Sequence, residues 1–234
     1  MYTTSKSQLY VDGEIGDDGT VTSFILRARH GLEQLLARSA PSMLGATYRE
    51  ESREWVAPVG VRREIAGLIN ETHAVVLPKA SEAFGVTPTD RVTGELVPEP
   101  LWGKGPYDVL ADSIDDLTER VIAAADGRCD ECGRIDDLSI DICLEYHDDT
   151  HVARYREIRT RCSGCRYVAH HGQARRTYRD LDALMHAGAV NGWDETETLR
   201  RWKADTRTWR DRSDEDWILD LGGLDTDWGI AVPV

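Results

Sequence analysis

Two Cys-x-x-Cys pairs constrain the fold of this chain more than any other feature of its sequence. The pairs are Cys129-Asp-Glu-Cys132 and Cys162-Ser-Gly-Cys165, and 29 residues separate them. Each pair places two thiolates on a tight knuckle, and two knuckles supply the four ligands of a tetrahedral zinc site. Four protein ligands leave no open coordination position, so we expect a structural Zn²⁺ bound by Cys129, Cys132, Cys162 and Cys165. The alternative is two unrelated thiol pairs, one of them redox-active.

The net charge of −14 is distributed unevenly along the 234 residues. The chain has 28 basic and 42 acidic side chains, and this balance excludes a protein that coats nucleic acid with a uniformly basic surface. From Arg154 to Arg179, however, eight arginines accompany one acid, Glu157. We call this segment the arginine island. Pairing with neighbouring acids is one interpretation of it, and phosphate binding is the other. The candidate nucleic-acid-binding residues are Arg154, Arg156, Arg159, Arg161, Arg166, Arg175 and Arg176.

A proline-containing stretch from Val86 to Pro100 is typical of a linker and divides the chain in two. The sequence patterns in residues 1–96 predict a mixed, mainly helical α/β region of unknown role. Within it we expect a short strand at Gln8–Val11 and a helix from Thr22 to Arg38. The sequence has no apolar leader and no segment of membrane-spanning length, so we expect a cytoplasmic protein with no membrane partner.

Residues 97–234 carry clearer local patterns. Alternation over Leu138–Ile142 predicts a strand, and Cys143 beside it is expected to be a small buried residue. The second cysteine pair leads into a predicted helix from about Arg166 to Ala187. Trp202 and Trp209 are seven residues apart on a further helix, which favours a shared, buried face.

The order of these features resembles the HNH endonuclease family. The shared pattern is a Cys-x-x-Cys-Gly knuckle, a strand, a polar loop, a second Cys-x-x-Cys and a helix with a histidine five residues further on. The resemblance covers about 97–228, and it extends to a subgroup with further short motifs. These are Pro100-Leu-Trp-Gly103, Glu145-Tyr146, His151-Val152, Val168-Ala-His170, Val190-Asn-Gly-Trp193 and Trp217-Ile-Leu-Asp-Leu221.

The resemblance implies an α+β fold: a zinc-stabilised treble-clef, ββα-metal module with flanking helices over 97–234. Active members use a histidine on the first strand as general base. They also use a divalent cation, which a helix histidine helps to hold and which stabilises the scissile phosphate. His170 matches the helix ligand, but the position of the base falls on Asp141 and the neighbouring ligand position on Ile140. A register shift of one residue would make Asp141 the ligand instead.

The candidate catalytic residues are therefore Asp141, His151 and His170, and the family's usual pair is incomplete. An aspartate is a weak base at its ordinary pKa of about 4. His147 or His151 could substitute if the acidic loop folded back. A second divalent cation (Mg²⁺, Mn²⁺ or Ni²⁺) would then join the structural zinc.

Three functions follow from these patterns. The first is an active metal-dependent endonuclease with rearranged ligands. The second is a degenerate HNH-like module that keeps its zinc fold and binds nucleic acid or a protein without cutting. The third is a phage-type or mobile-element protein that inhibits a host protein partner, with acidic surfaces acting as a nucleic-acid mimic. We favour the HNH-like fold, with cleavage impaired or absent.

Overall fold

The computed structural model describes residues 8–29, 32–72, 74–85 and 91–230 and shows an α+β protein. A five-stranded sheet organises the N-terminal part. Its elements are β1 (Gln8–Ile15), β2 (Val21–Arg29), α1 (Leu32–Met43), β3 (Thr47–Arg49), β4 (Glu54–Pro58), α2 (Arg62–Thr72), β5 (Val75–Val76) and α3 (Pro78–Phe84). The strands are ordered β3-β4-β2-β1-β5, and only the β1–β5 pairing is parallel among the described strands of this sheet.

The segment expected to form one helix, Thr22–Arg38, contains a strand followed by a helix, so this prediction is wrong for its first half. In β2, Phe24 and Leu26 point into the N-terminal core, and Ile25 is buried on the opposite face of the sheet. A strand buried on both faces loses the alternation of polar and apolar residues, and its apolar positions then imitate helical spacing. The helix that follows continues past Pro41 to Met43.

A β-hairpin and seven helices form most of the described C-terminal part. The elements are α4 (Pro106–Val109), α5 (Ile114–Ala124), β6 (Leu138–His147), β7 (Val152–Cys162), α6 (Ser163–Ala169), α7 (His171–Arg176), α8 (Asp180–Asn191), α9 (Glu195–Ser213), β8 (Ile218–Asp220) and α10 (Gly223–Trp228). β6 and β7 are antiparallel, and β8 joins the sheet parallel to β7. The single helix expected over Arg166–Ala187 is instead divided among α6, α7 and α8.

The two faces of the hairpin have different roles. Ile140, Ile142 and Leu144 alternate along β6 into an apolar core that includes residues of α5 and α10. Asp141 and Cys143 lie between them in sequence and therefore on the opposite face. That second face contacts α6, and Asp141 meets His170 at the end of this helix.

The stretch expected to be a linker is bound to the C-terminal part wherever it is described. Residues 86–90 lie outside the described residues, but 91–98 are placed. The Asn191 side chain accepts hydrogen bonds from the backbone N–H of Arg91 (2.6 Å) and of Val92 (3.1 Å), and donates to the Val92 carbonyl. The N–H of Glu95 donates to the carbonyl of Ala169 at 2.7 Å. These bonds fix Glu95 beside the end of α6.

A buried arginine joins the N-terminal sheet to the first cysteine knuckle. The Arg128 guanidinium donates to the carbonyls of Ala28 (3.0 Å), Gly133 (3.1 Å) and Arg53 (2.9 Å). The Tyr10 hydroxyl adds a hydrogen bond to the Asp130 carbonyl. Because these bonds cross between the two parts, the sheet and the knuckle form one interface.

None of the helices in the described part of the chain combines the length and the apolar character that a membrane-spanning helix needs.

Replacing Arg128 by alanine leaves three carbonyl oxygens in this interface without their donor. We expect the free energy of unfolding to fall by about 2–4 kcal/mol, because each lost bond involves a charged donor in a buried setting. Urea denaturation of Arg128→Ala beside Arg63→Ala, an exposed arginine on α2, measures the difference. Equal stability of the two variants would contradict this role of Arg128.

Candidate metal centre and the adjoining cleft

The first cysteine pair lies on a tight turn between α5 and β6. The N–H of Cys129 donates to the carbonyl of Arg134 (2.7 Å), and the carbonyl of Cys129 accepts from the N–H of Gly133 (2.9 Å). Gly133 has a φ of +73°, and a Cβ at this position would lie 3.2 Å from the Tyr10 ring. Both the left-handed backbone and the close approach of the N-terminal sheet therefore require glycine here.

The second pair lies where β7 passes into α6. Cys162 is the residue before the helix, with extended backbone, and Cys165 lies in the first helical turn. Between them, a Cβ on Gly164 would come within 2.8 Å of the His186 ring, which packs across the turn from α8. The Nε2 atom of His186 lies 3.2 Å from Cys165 Sγ. A ring N–H at this distance can stabilise a thiolate ligand.

The fold brings the four predicted cysteines together in one buried cluster. Their sulfur atoms lie within 4.8 Å of one another, and Cys132 Sγ is 3.7 Å from Cys162 Sγ. A tetrahedron with Zn–S bonds of about 2.3 Å has edges of about 3.8 Å, so the cluster has the size of a zinc site. Hydrogen bonds from the neighbouring thiols, Cys129 first among them, lower the pKa of Cys162 and favour its thiolate. The described residues thus fit a structural Zn²⁺.

Cys143 lies outside this cluster, buried on β6, as the sequence predicts. Its thiol approaches the carbonyl of Asp141 at 3.8 Å, and burial raises its pKa. It is a free cysteine without a place in the metal centre.

Two of the three candidate catalytic residues are in direct contact. His170 follows α6, and its backbone (φ −112°, ψ 56°) interrupts the helix before α7 begins. This break directs the imidazole towards β6, where Nε2 lies 2.8 Å from Asp141 Oδ1 and 2.9 Å from Oδ2. The contact fixes the imidazole orientation and leaves Nδ1 for a different partner.

Asp141 and His170 border a buried network centred on Arg161, whose side chain has no exposed surface. The guanidinium forms an ion pair with Asp141 and a two-pronged pair with Glu95, in which each nitrogen–oxygen distance is 3.1 Å. It also contacts Glu131 at 3.2 Å. Three carboxylates from three parts of the chain therefore surround one guanidinium.

Three side chains surround the Asp141 carboxylate within this network. Oδ1 is 3.2 Å from the Tyr107 hydroxyl, Oδ2 contacts Arg161, and the Nε2 of His170 lies within hydrogen-bond distance of both oxygens. Burial alone would raise the pKa of Asp141, but His170 and Arg161 hold it well below its ordinary value. The carboxylate is therefore the ionised partner of the buried Arg161 guanidinium.

A cleft of about 1000 Å³ opens on the other side of His170. Three tryptophans line it: Trp102, Trp202 and Trp209. Four arginines also line it: Arg166, Arg175, Arg176 and Arg210. The acids in its wall are Glu99 and Asp180, so positive groups exceed negative ones there. A positive, aromatic cleft suits an anionic ligand with flat rings.

The structure divides the arginine island into two halves. On β7, the arginines pair with acids: Arg154 with Asp220, Arg156 with Glu95, Arg159 with Glu131, and Arg161 with all three carboxylates of the buried network. In the helical half, Arg166, Arg175 and Arg176 line the cleft, and no carboxylate among the described residues forms an ion pair with them. Arg179, the last arginine of the island, pairs with Asp182. Pairing with acids therefore accounts for the β7 arginines and for Arg179, but not for the three arginines that line the cleft.

His151 does not join the other two candidate catalytic residues. It lies in the turn that connects β6 to β7, with its ring against Trp217 (centroids 5.7 Å apart) and Nδ1 3.7 Å from Glu215. The hairpin pairing opposes Asp141 to Arg159, whereas His147 at the far end opposes Val152. Six strand residues, or about 20 Å, separate the turn from Asp141. His147 is at the same distant end.

Sequence reasoning missed the partners that complete the buried network, Glu95, Glu131 and Tyr107, as well as His186 beside the cysteines. The one available signal was indirect. An arginine on a strand that leads into a buried knuckle requires carboxylate partners. The pattern does not indicate which of the many acids supply them.

Comparisons with known protein families, with curated proteins and with solved structures give no match.

Replacing one cysteine of the cluster tests the metal centre. We expect the native chain to carry about one zinc ion by elemental analysis, and Cys162→Ser to lose it because three thiolates bind zinc far less tightly. The free energy of unfolding should fall by several kcal/mol, since zinc binding and folding are coupled. The matched control is Cys143→Ala, which should keep its zinc. Full zinc content in Cys162→Ser, or no zinc in the native chain, would contradict the site.

Replacing Asp141 by asparagine tests the buried network. We expect a loss of about 3 kcal/mol at pH 7, because one of the carboxylates that neutralise Arg161 is removed. The pKa of Asp141 is depressed in the fold, so its contribution is present above its unfolded pKa of about 3.9 and disappears as the pH falls below it. The difference in the free energy of unfolding between the native chain and Asp141→Asn, measured by urea denaturation, should therefore narrow below pH 4.

The control for this experiment is Asp149→Asn, an exposed aspartate in the hairpin turn. Its free energy of unfolding should equal that of the native chain at every pH tested. A stability gap for Asp141→Asn that stays constant from pH 7 to pH 3 would show that Asp141 is not held ionised by its partners.

Proposed function

We propose that this protein is an HNH-like, zinc-stabilised module that binds nucleic acid in the cleft beside His170, with a rearranged catalytic centre. One observation carries the proposal: His170 and three arginines of the island that form no ion pair with the described residues, Arg166, Arg175 and Arg176, line one positive cleft. Arg166 directly follows Cys165 of the zinc-type cluster. Backbone phosphates are the anions that such closely spaced arginines recognise.

The order of the elements around the cysteines supports the resemblance to the HNH family. A knuckle with Cys129 and Cys132 precedes the β6–β7 hairpin, and the second pair begins the helix that follows. This order of knuckle, hairpin and helix is the one that a treble clef would have. Asp141 on β6 and His170, directly after α6, are the two residues that the resemblance assigns to the catalytic centre.

A second divalent cation does not fit the residues present at this centre. Both Asp141 oxygens have partners, and the guanidinium of Arg161 occupies the position between the carboxylates of Asp141 and Glu95 where a cation would sit. If Asp141 bound a metal ion there, the ion pair that neutralises the buried Arg161 would be lost.

Cleavage remains a second candidate function because of the contact between Asp141 and His170. A carboxylate that accepts a hydrogen bond from one imidazole nitrogen orients the ring and stabilises its protonated form. The Nδ1 atom of His170 could then take a proton from a water molecule that attacks phosphorus as the P–O bond to the leaving sugar oxygen breaks. Solvent protonates the leaving oxygen, while Arg166 and Arg175 balance the charge on the phosphate oxygens.

Electrophoretic mobility-shift assays test whether nucleic acid binds in the cleft. We expect Arg175→Ala/Arg176→Ala to weaken binding about 10- to 100-fold at moderate salt, and to reduce the slope of log affinity against log salt by about 1.5. The control Arg62→Ala/Arg63→Ala removes the same charge from the exposed face of α2 and should bind normally. Equal loss in both variants would indicate a non-specific charge effect.

Incubating the protein with supercoiled plasmid, with and without Mg²⁺, Mn²⁺ or Ni²⁺, tests whether it cleaves DNA. Nicking that disappears in His170→Ala and survives in His151→Ala would support the role of His170. Binding without nicking would support a non-cutting module. If the chain bound neither duplex nor single-stranded nucleic acid, the proposal would fail and the protein-antagonist hypothesis would be preferred.

A further inference from the structure

Two tryptophans at the mouth of the cleft are held rigidly by one backbone carbonyl. The indole N–H groups of Trp102 and Trp209 donate to the carbonyl of Val97, at 3.0 and 3.1 Å. Their ring centroids lie 6.3 Å apart, with the planes only 22° from parallel. Trp102 nevertheless keeps 47% of its surface exposed. An exposed indole fixed in one orientation offers a flat surface with little further loss of conformational entropy on binding.

The guanidinium of Arg176 lies over the Trp102 ring, 4.5 Å from its centroid. No carboxylate among the described residues forms an ion pair with this arginine. A planar cation on an indole forms a layered surface, and both layers are planes on which nucleobases stack. We call these two residues the Trp102–Arg176 platform.

Deeper in the cleft, two buried nitrogen atoms have no hydrogen-bond partner in the described structure. They are Nε2 of His171 and Nε of Arg166. His171 is only 4% exposed, stacks on Trp202 (centroids 4.1 Å apart), and burial lowers its pKa to about 4, so it is neutral at pH 7. Buried polar atoms are rarely left unpaired, and here both belong to residues that line the cleft.

We propose that the cleft recognises unpaired nucleobases of single-stranded nucleic acid, which stack on the Trp102–Arg176 platform while Arg166 and Arg175 contact the backbone. The inference rests on the proposed function and makes it more specific. In a duplex, the base faces are covered by their neighbours, so an aromatic platform can bind only bases that are already unstacked.

The experiment compares three fluorescein-labelled probes of equal length by fluorescence anisotropy at fixed salt. They are an oligothymidylate, the corresponding thymidine–adenosine duplex, and an abasic oligonucleotide that keeps the phosphates but lacks the bases. We expect the oligothymidylate to bind about ten-fold or more tightly than either of the others, since stacking on an aromatic ring contributes strongly for each base.

Variants of the platform test its role directly. Trp102→Ala should lose about 5- to 100-fold in affinity for the oligothymidylate and none for the abasic probe, whereas Trp102→Phe should keep most of the affinity. Thermal unfolding confirms that each variant is folded. The abasic probe differs from the oligothymidylate only in lacking bases. The difference between their affinities for the native chain therefore measures base recognition without any substitution in the protein.

The outcomes separate this inference from the proposed function. Equal affinity for all three probes, with each probe bound by Trp102→Ala as tightly as by the native chain, would overturn base recognition and leave phosphate binding in place. Preference for the duplex over the oligothymidylate would also overturn it. Failure to bind any probe would overturn both.

Discussion

The charge of Arg161 is the constraint on which the rest of the site depends. A guanidinium without exposed surface must be neutralised inside the protein, because an unpaired buried charge costs several kcal/mol. The carboxylates of Asp141, Glu95 and Glu131 share this task and come from a strand, a connecting segment and a cysteine knuckle. Satisfying one charge therefore fixes three parts of the chain, and it holds Asp141 where His170 meets it.

A single irregularity in the hairpin makes this arrangement possible. In the pairing of β6 with β7, Cys143 opposes Glu157 and the next residue opposes Tyr155, so Arg156 is an extra residue. Such a bulge reverses the side-chain alternation along the strand. Before the bulge the odd-numbered residues of β7 face the apolar core, and after it they face α6. Without the extra residue, Arg161 would point into the apolar core and away from Asp141.

Prediction from sequence succeeds here where a feature is local and fails where partners are distant. The cysteine cluster follows from two short spacings. The family resemblance assigned Asp141 and His170 to one centre, but their direct contact and the helix break at His170 are seen only in the structure. Glu95 lies 66 residues from Arg161, and no local pattern links them. The β2 strand was misread as a helix for a related reason: the packing that buries both of its faces lies elsewhere in the chain.

The same distinction explains how a chain of net charge −14 can present a positive cleft. Interactions between exposed charges are screened beyond about 8–10 Å at physiological ionic strength, so a ligand responds to the groups nearest to it. On β7, ion pairs with acids neutralise the arginines, and the pairs of the buried Arg161 stabilise the fold. In α6 and α7, Arg166, Arg175 and Arg176 line a cleft with three tryptophans and form no ion pair with a carboxylate of the described residues. Within the arginine island, the change from strand to helix at Cys162 separates the two roles as far as Arg176, and Arg179 after α7 pairs again with an acid, Asp182.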